Sequence, residues 1–202
     1  MTMLPRRFVL AGMALAPASC SLLPQAGAPP KLYTLTPASD FPPGGARVSW
    51  QLLIDVPAST AALDTARIAL SRSPTTIDYF ADAAWVDRAP LMLQSLLVQS
   101  FENSGRIAAV ARDSLMLRAD YILSTELRHF EADYAAAAAP TARVGLGAKL
   151  IRALDHSVAA QRRFDAAAVA SANDIPAIVD AFNNAFHRAA RQIADWAFAA
   201  VR

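Results

Sequence analysis

From residue 31 onwards the apolar positions recur with two different periods, and the alternation between them sets the order of elements. Lys31-Leu32-Tyr33-Thr34-Leu35 is a first strand-like segment, and Val48 to Val56, rich in β-branched and aromatic residues, predicts a second strand that stops at Pro57. Arg67 to Ser71 and Thr75 to Phe80 are short apolar segments on either side of Ser73-Pro74, which predicts a hairpin, with Asp82 to Arg88 as the loop after it. Pro90 then suits the first turn of a helix. Leu93, Leu96, Leu97 and Phe101 repeat at helical spacing until Gly105 supplies a stop, so residues 89–104 read as helix.

Ile107 to Ala111 and Tyr121 to Asp133 are read as strands, the second with only partial alternation. Five alanines closed by Pro140 lie between Tyr134 and Thr141 and are too few for a stable helix, so this stretch links two strands. Arg143 to Ile151 alternates cleanly, with Val144, Leu146, Ala148 and Leu150 on one face, and Val158 to Val169 should pair with it as a hairpin. The last element is a long helix. Asn173 or Asp174 caps it, Pro176 lies in its first turn, and Ile178, Phe182, Phe186, Ala189, Ile193, Trp196 and Ala200 form its apolar stripe. Strands, helix, strands, helix predict an α/β fold: a single layered domain in which a mixed, largely antiparallel β-sheet packs against two long helices.

The first thirty residues follow no such pattern. Arg6-Arg7 precede the nine-residue apolar run Phe8 to Ala16, too short to span a bilayer and followed by small residues up to Cys20, the only cysteine. This is a signal peptide over residues 1–19 with a bacterial lipobox, although Pro17 stands where Leu is usual. Cys20 is the residue expected to be acylated. Ser21 to Pro30 reads as a flexible tether, which at roughly 3 Å per residue reaches about 30 Å, and residues 31–202 form the folded domain. Lipoproteins of this kind with Ser after the cysteine usually reach the outer membrane, so Ser21 points to its periplasmic face.

Composition narrows the function by exclusion. Of 202 residues 54% are hydrophobic and 18% charged, enough for a sizeable core. Removing Arg6 and Arg7 from the 19 bases leaves 17 against 17 acids, too even a balance for a nucleic-acid surface. A lone cysteine and three scattered histidines argue against a His/Cys metal site, and His129, Glu131 and Asp133, two apart on one strand, read as a solvated face rather than a ligand set. There is no Gly-x-Ser-x-Gly elbow and no phosphate-binding Gly-x-x-x-x-Gly-Lys loop. Gly145 and Gly147, in Val144 to Lys149, instead fit a strand with a close neighbour. No catalytic residue, metal or cofactor is assigned.

A run of further features has a counterpart in a known family. In order they are Cys20; Tyr33-Thr34-Leu35-Thr36-Pro37; Ile54-Asp55-Val56-Pro57 through Leu63-Asp64-Thr65-Ala66-Arg67-Ile68-Ala69; Ile77-Asp78-Tyr79-Phe80-Ala81-Asp82-Ala83-Ala84-Trp85; Pro90-Leu91; Ser104-Gly105-Arg106; Ala119 to Leu123; and the closing helix with Trp196. Over residues 20–200 the chain resembles the ABC-type transport auxiliary lipoproteins, which include the paraquat-inducible lipoprotein partner of MCE-domain lipid transporters; Phe80 departs from a frequent tyrosine. The resemblance implies a non-enzymatic, lipid-anchored outer-membrane accessory component of an ABC/MCE-type system that moves lipids or other hydrophobic compounds across the periplasm. The MCE-domain subunit, permease and ATPase would be other chains, and self-assembly of this chain stays open. Asp64, Arg67, Asp82 and Trp85, in the most specific stretch, are candidates for partner contact or for structural turns. Phe182, Phe186 and Trp196 are candidates for lipid contact or for core packing, the former suiting the alternative of a stand-alone periplasmic lipid carrier.

Overall fold

The computed structural model describes residues 29–112, 118–135 and 139–201. In chain order the elements are β1 (Lys31–Tyr33), β2 (Val48–Ile54), β3 (Ala58–Ser59), β4 (Arg67–Ser73), β5 (Thr76–Trp85), α1 (Ala89–Asn103), β6 (Ile107–Ala111), β7 (Tyr121–Asp133), β8 (Thr141–Arg152), β9 (Val158–Val169) and α2 (Ile175–Ala200).

The spine is β7. Along one edge it pairs over its whole length with β8, antiparallel, and β8 pairs likewise with β9. Its other edge is shared end to end by three parallel partners: β2 against Tyr121–Leu123, β3 against Glu126–Leu127 and β4 against Glu131–Asp133. β2 extends the sheet to β6, and β4 extends it through the antiparallel hairpin partner β5 to the short parallel strand β1. The sheet is therefore mixed, with its longest ladders antiparallel, and the domain is α/β as the pattern predicts.

Both helices cover one face. Val144, Leu146, Ala148 and Leu150 are all buried there, beneath α2, while α1 packs on β2 and β6 and touches α2. The buried stripe of α2 is the predicted one from Ile178 to Ile193, with Ala181, Ala185, Ala190 and Ala194 buried between the larger residues. The Asp174 side chain accepts a hydrogen bond from Ala177 N at 2.9 Å, satisfying one of the free donors of the first turn, where Pro176 lacks one. At the end of α1, Gly105 takes φ +62, a left-handed conformation that favours glycine.

Trp85, Phe130 and Phe182 form the centre of the core, with ring centroids 5.0 to 5.3 Å apart. A second aromatic group, Trp50, Phe101 and Phe198, closes the opposite end. Each such side chain taken fully from water contributes about 1.5–3 kcal/mol.

Four details depart from the sequence reading. β5 runs on to Trp85, because pairing of β1 with Ala83–Trp85 holds Asp82 to Trp85 extended rather than looped. β1 and β2 end at Tyr33 and Ile54, earlier than their apolar runs. β3 is only two residues long, too short to leave a period. In β7 a bulge at Arg128 shifts the register between Leu127 and His129, so the inward set is Leu123, Thr125, Leu127 and then Phe130, Ala132. That shift is why the alternation is partial. The linking stretch after Tyr134 includes residues 136–138, which lie outside the described residues.

Candidate functional site

The chain enters the fold at β1 and is then strapped across both helices. Leu35 and Ala38 are buried; Ala38 N donates to Ser100 Oγ at 3.0 Å, and Asn103 Nδ2 donates to the Ala38 carbonyl at 3.1 Å. On the α2 side Thr36 N donates to Asn183 Oδ1 at 2.9 Å, and His187 Nε2 lies 3.0 Å from the Thr36 carbonyl, which accepts only, so that nitrogen carries the proton. Arg191 pairs with Asp40 further along. Whatever precedes residue 31 thus pulls on a segment tied to two helices.

Next to this strap lies the stretch with the most specific sequence pattern. The Thr60 carbonyl accepts from Leu63 N at 3.0 Å and Asp64 N at 2.9 Å, turning the chain so that Leu63 is buried. Asp64 then receives a two-pronged contact from Arg88, with Nε to Oδ1 at 2.9 Å, which fastens the loop to the start of α1. That carboxylate holds the Arg88 proton more firmly than usual, although the exposed guanidinium makes the pair a weak source of stability. Arg67 lies over the Tyr79 ring at 4.0 Å, and Tyr79 Oη donates to the Ala62 carbonyl at 3.0 Å. Asp64 and Arg67 are therefore engaged within the fold.

Trp85 is 1% exposed, so it is a core residue and not a surface anchor. Its N donates to the Ala66 carbonyl at 2.7 Å. Of the four candidates for partner contact only Asp82 stands free on the surface. The pairing of Leu32 with Ala84 puts Asp82, Ala84, Val86 and Leu32 on one side of the sheet edge, where Leu32 is 60% and Val86 53% exposed. These two apolar residues were not singled out from the sequence. The pattern places Leu32 at an ordinary strand position and Val86 in a loop, and the register shifts between β4 and β5 hide which positions of β5 face outwards. Beside Val86 a groove of about 300 Å³ runs between Thr34–Pro37 and the Met92, Ser95, Leu96 and Gln99 side of α1.

The aromatic candidates for lipid contact separate in the same way. Phe182 and Phe186 are fully buried, and the rings of Trp85 and Phe130 fill the interval between sheet and helix around Phe182. They are core residues. Trp196 is half-buried and packs edge-on against Phe164 of β9 at 5.5 Å.

The remaining sequence candidates resolve into packing. Glu131 is 5% exposed rather than solvated; its carboxylate takes the Phe130 N–H at 2.7 Å and lies 2.9 Å from His129 Nδ1. Asp133 turns instead to Arg143 at 3.3 Å. Among the described residues no three His, Cys, Asp or Glu side chains gather in a metal-holding arrangement. A Cβ at Gly145 would come within 2.9 Å of Asp165 and His129, which is the close neighbour that the glycine permits. Cys20 lies outside the described residues, and among the described ones no helix is long and apolar enough to cross a membrane.

Comparison with known proteins places this geometry. Protein XCC0632 from Xanthomonas campestris shares 35% identity with a TM-score of 0.79, over 84% of this chain and 95% of that one. A second crystal structure, of an uncharacterized protein, has the same fold at TM-score 0.66 and 13% identity, over 83% and 98% of the two chains. The uncharacterized protein bll6063 of Bradyrhizobium diazoefficiens is 30% identical over 169 residues, 84% of this chain and 45% of that protein, so the chain spans about half the length of this relative. The model of one family matches residues 33–194, nearly the whole described fold, and the chain belongs to that family, the ABC-type transport auxiliary lipoprotein components.

Proposed function

We propose that the protein is a non-catalytic docking subunit, acylated at Cys20 and held on the periplasmic face of the outer membrane, for an ABC/MCE-type system that moves lipids or other hydrophobic compounds across the periplasm. Its part is to hold a transporter component within the tether's reach of the membrane. The observation that carries this reading is the outward pair Leu32 and Val86 with Asp82, next to the groove along α1 and at the point where the tether joins the sheet. Exposed apolar residues rimmed by polar ones suit a protein contact, and a tether ending beside it sets the reach of that contact.

The test is capture of the tagged, full-length chain from gently solubilised native envelopes, with mass spectrometry of what accompanies it. An MCE-domain subunit and its permease are expected, and their yield should fall at least tenfold for Leu32→Glu with Val86→Glu while the variant still fractionates with the outer membrane. Capture without any MCE-domain subunit sinks the reading.

A further inference from the structure

The sheet face turned away from both helices carries a second concavity, a trench of about 510 Å³ along β7, β8 and β9. Register places its walls. Ser124 lies opposite Lys149, which lies opposite Gln161; Glu126 lies opposite Gly147, which lies opposite Arg163. Gly147 has no side chain of its own in the middle, and the Arg128 guanidinium, with Nε 3.3 Å from where a Cβ would sit, lies across it.

The charges in the trench are unbalanced. Arg128 is matched by Glu126 at 2.6 Å, whereas among the described residues Lys149 makes no ion pair and Arg163 only approaches Asp165 at 3.9 Å. Towards the hairpin tip the same face becomes apolar. Ile151 pairs with Val158, which is 52% exposed, and Leu154 at the turn is 94% exposed. At about 3.3 Å per residue, Ile151 is about 7 Å beyond Lys149 along β8.

We infer that this face binds a phospholipid. The phosphodiester sits between Lys149 and Arg163, with the Ser124 hydroxyl and Gln161 amide as neutral donors, and the upper acyl chains lie over Ile151 and Val158 towards Leu154. Two cations suit the single charge and two free oxygens of a phosphodiester. Inorganic phosphate would use the cationic cup and leave the adjoining apolar end unmatched. The choice of a lipid rests on the membrane-anchored part of the proposed function and not on its transporter partner.

The experiment places p-benzoylphenylalanine at Ala58, which lines the trench without contacting the phosphodiester, in the full-length, acylated chain, irradiates native envelopes and identifies adducts by mass spectrometry. A phospholipid adduct is expected at Ala58 and not at Asp180, on the exposed side of α2. It should fall at least tenfold with Lys149→Glu plus Arg163→Glu, and persist with Lys149→Arg plus Arg163→Lys, which keep the charges and control for folding. Absence of a lipid adduct, a protein adduct in its place, equal labelling at Asp180, or an adduct that survives charge reversal would each overturn the inference. Loss of transporter capture with the adduct intact removes the docking reading alone; the converse removes only this one.

Discussion

Trp85 shows how a residue in the most recognisable stretch of a sequence can serve the interior. Its ring meets Phe130 and Phe182, each at 5.3 Å, while among the described residues no acceptor reaches its Nε1. The stabilisation therefore comes from ring burial and contact, offset by an indole N–H left without a partner. Trp85→Ala should cost about 3–5 kcal/mol through the cavity it opens. Trp85→Phe keeps an aromatic ring and removes the orphaned donor, so it should stay within about 1.5 kcal/mol of the parent. Urea denaturation followed by circular dichroism separates the two, and a phenylalanine variant as unstable as the alanine one would mean that the indole nitrogen has a partner after all.

At the level of elements, the two glycines of β8 make opposite predictions. A Cβ at Gly145 meets Asp165 Oδ1 and His129 Cδ2 at 2.9 Å and His129 Cβ at 3.0 Å; that Cβ is fixed by its strand and the ring is held by Glu131, so the histidine has no room to give. Gly145→Ala should lose about 1–3 kcal/mol to overpacking. At Gly147 the nearest atom is Arg128 Nε at 3.3 Å, the movable end of an exposed side chain. There alanine should be neutral or slightly stabilising, because it reduces the freedom of the unfolded chain by about 0.4–1 kcal/mol. Thermal melts of the two variants check the contrast, and equal losses would refute it.

The same strands show what the sequence made legible. The periods of β8 and α2 were readable because each buries one continuous stripe against the other. The hairpin at Ser73-Pro74 and the cap at Asp174 were readable because turn and cap chemistry is local. β7 was only half readable, since one bulged residue moves every later side chain to the other face; the bulge sets Glu131 on the face away from the helices, where it is buried all the same, its carboxylate accepting from Phe130 N and lying beside His129. Which of the singled-out residues stayed outside was not readable at all. Asp64 and Arg67 are engaged at the surface by Arg88 and Tyr79 and Trp85 is buried against Phe130, partners 24 residues or fewer away in two cases and 45 away in the third, so their fate depends on tertiary packing and not on spacing.

For the whole molecule, the division between anchor and fold makes a prediction of its own. Cys20 precedes the described chain, and the ordered fold is secured from Lys31 onwards by β1, by the Thr36–Asn183–His187 contacts and by Asp40 with Arg191. None of these contacts involves Cys20, the residue proposed to be acylated. Two or three acyl chains, each CH₂ contributing about 0.8 kcal/mol on burial, hold a protein on a bilayer where one exposed leucine at a hairpin tip does not. Cys20→Ala should therefore remove the protein from the outer-membrane fraction and leave its melting transition where it was, because the strap that orders the N-terminal segment is intact. Sucrose-gradient fractionation with a carbonate wash, read beside a thermal melt, makes the check. A variant that still follows the outer membrane would show that the folded domain, through its trench and its exposed sheet edge, binds the membrane without the anchor, and a variant that melts earlier would show that the tether contributes to the fold.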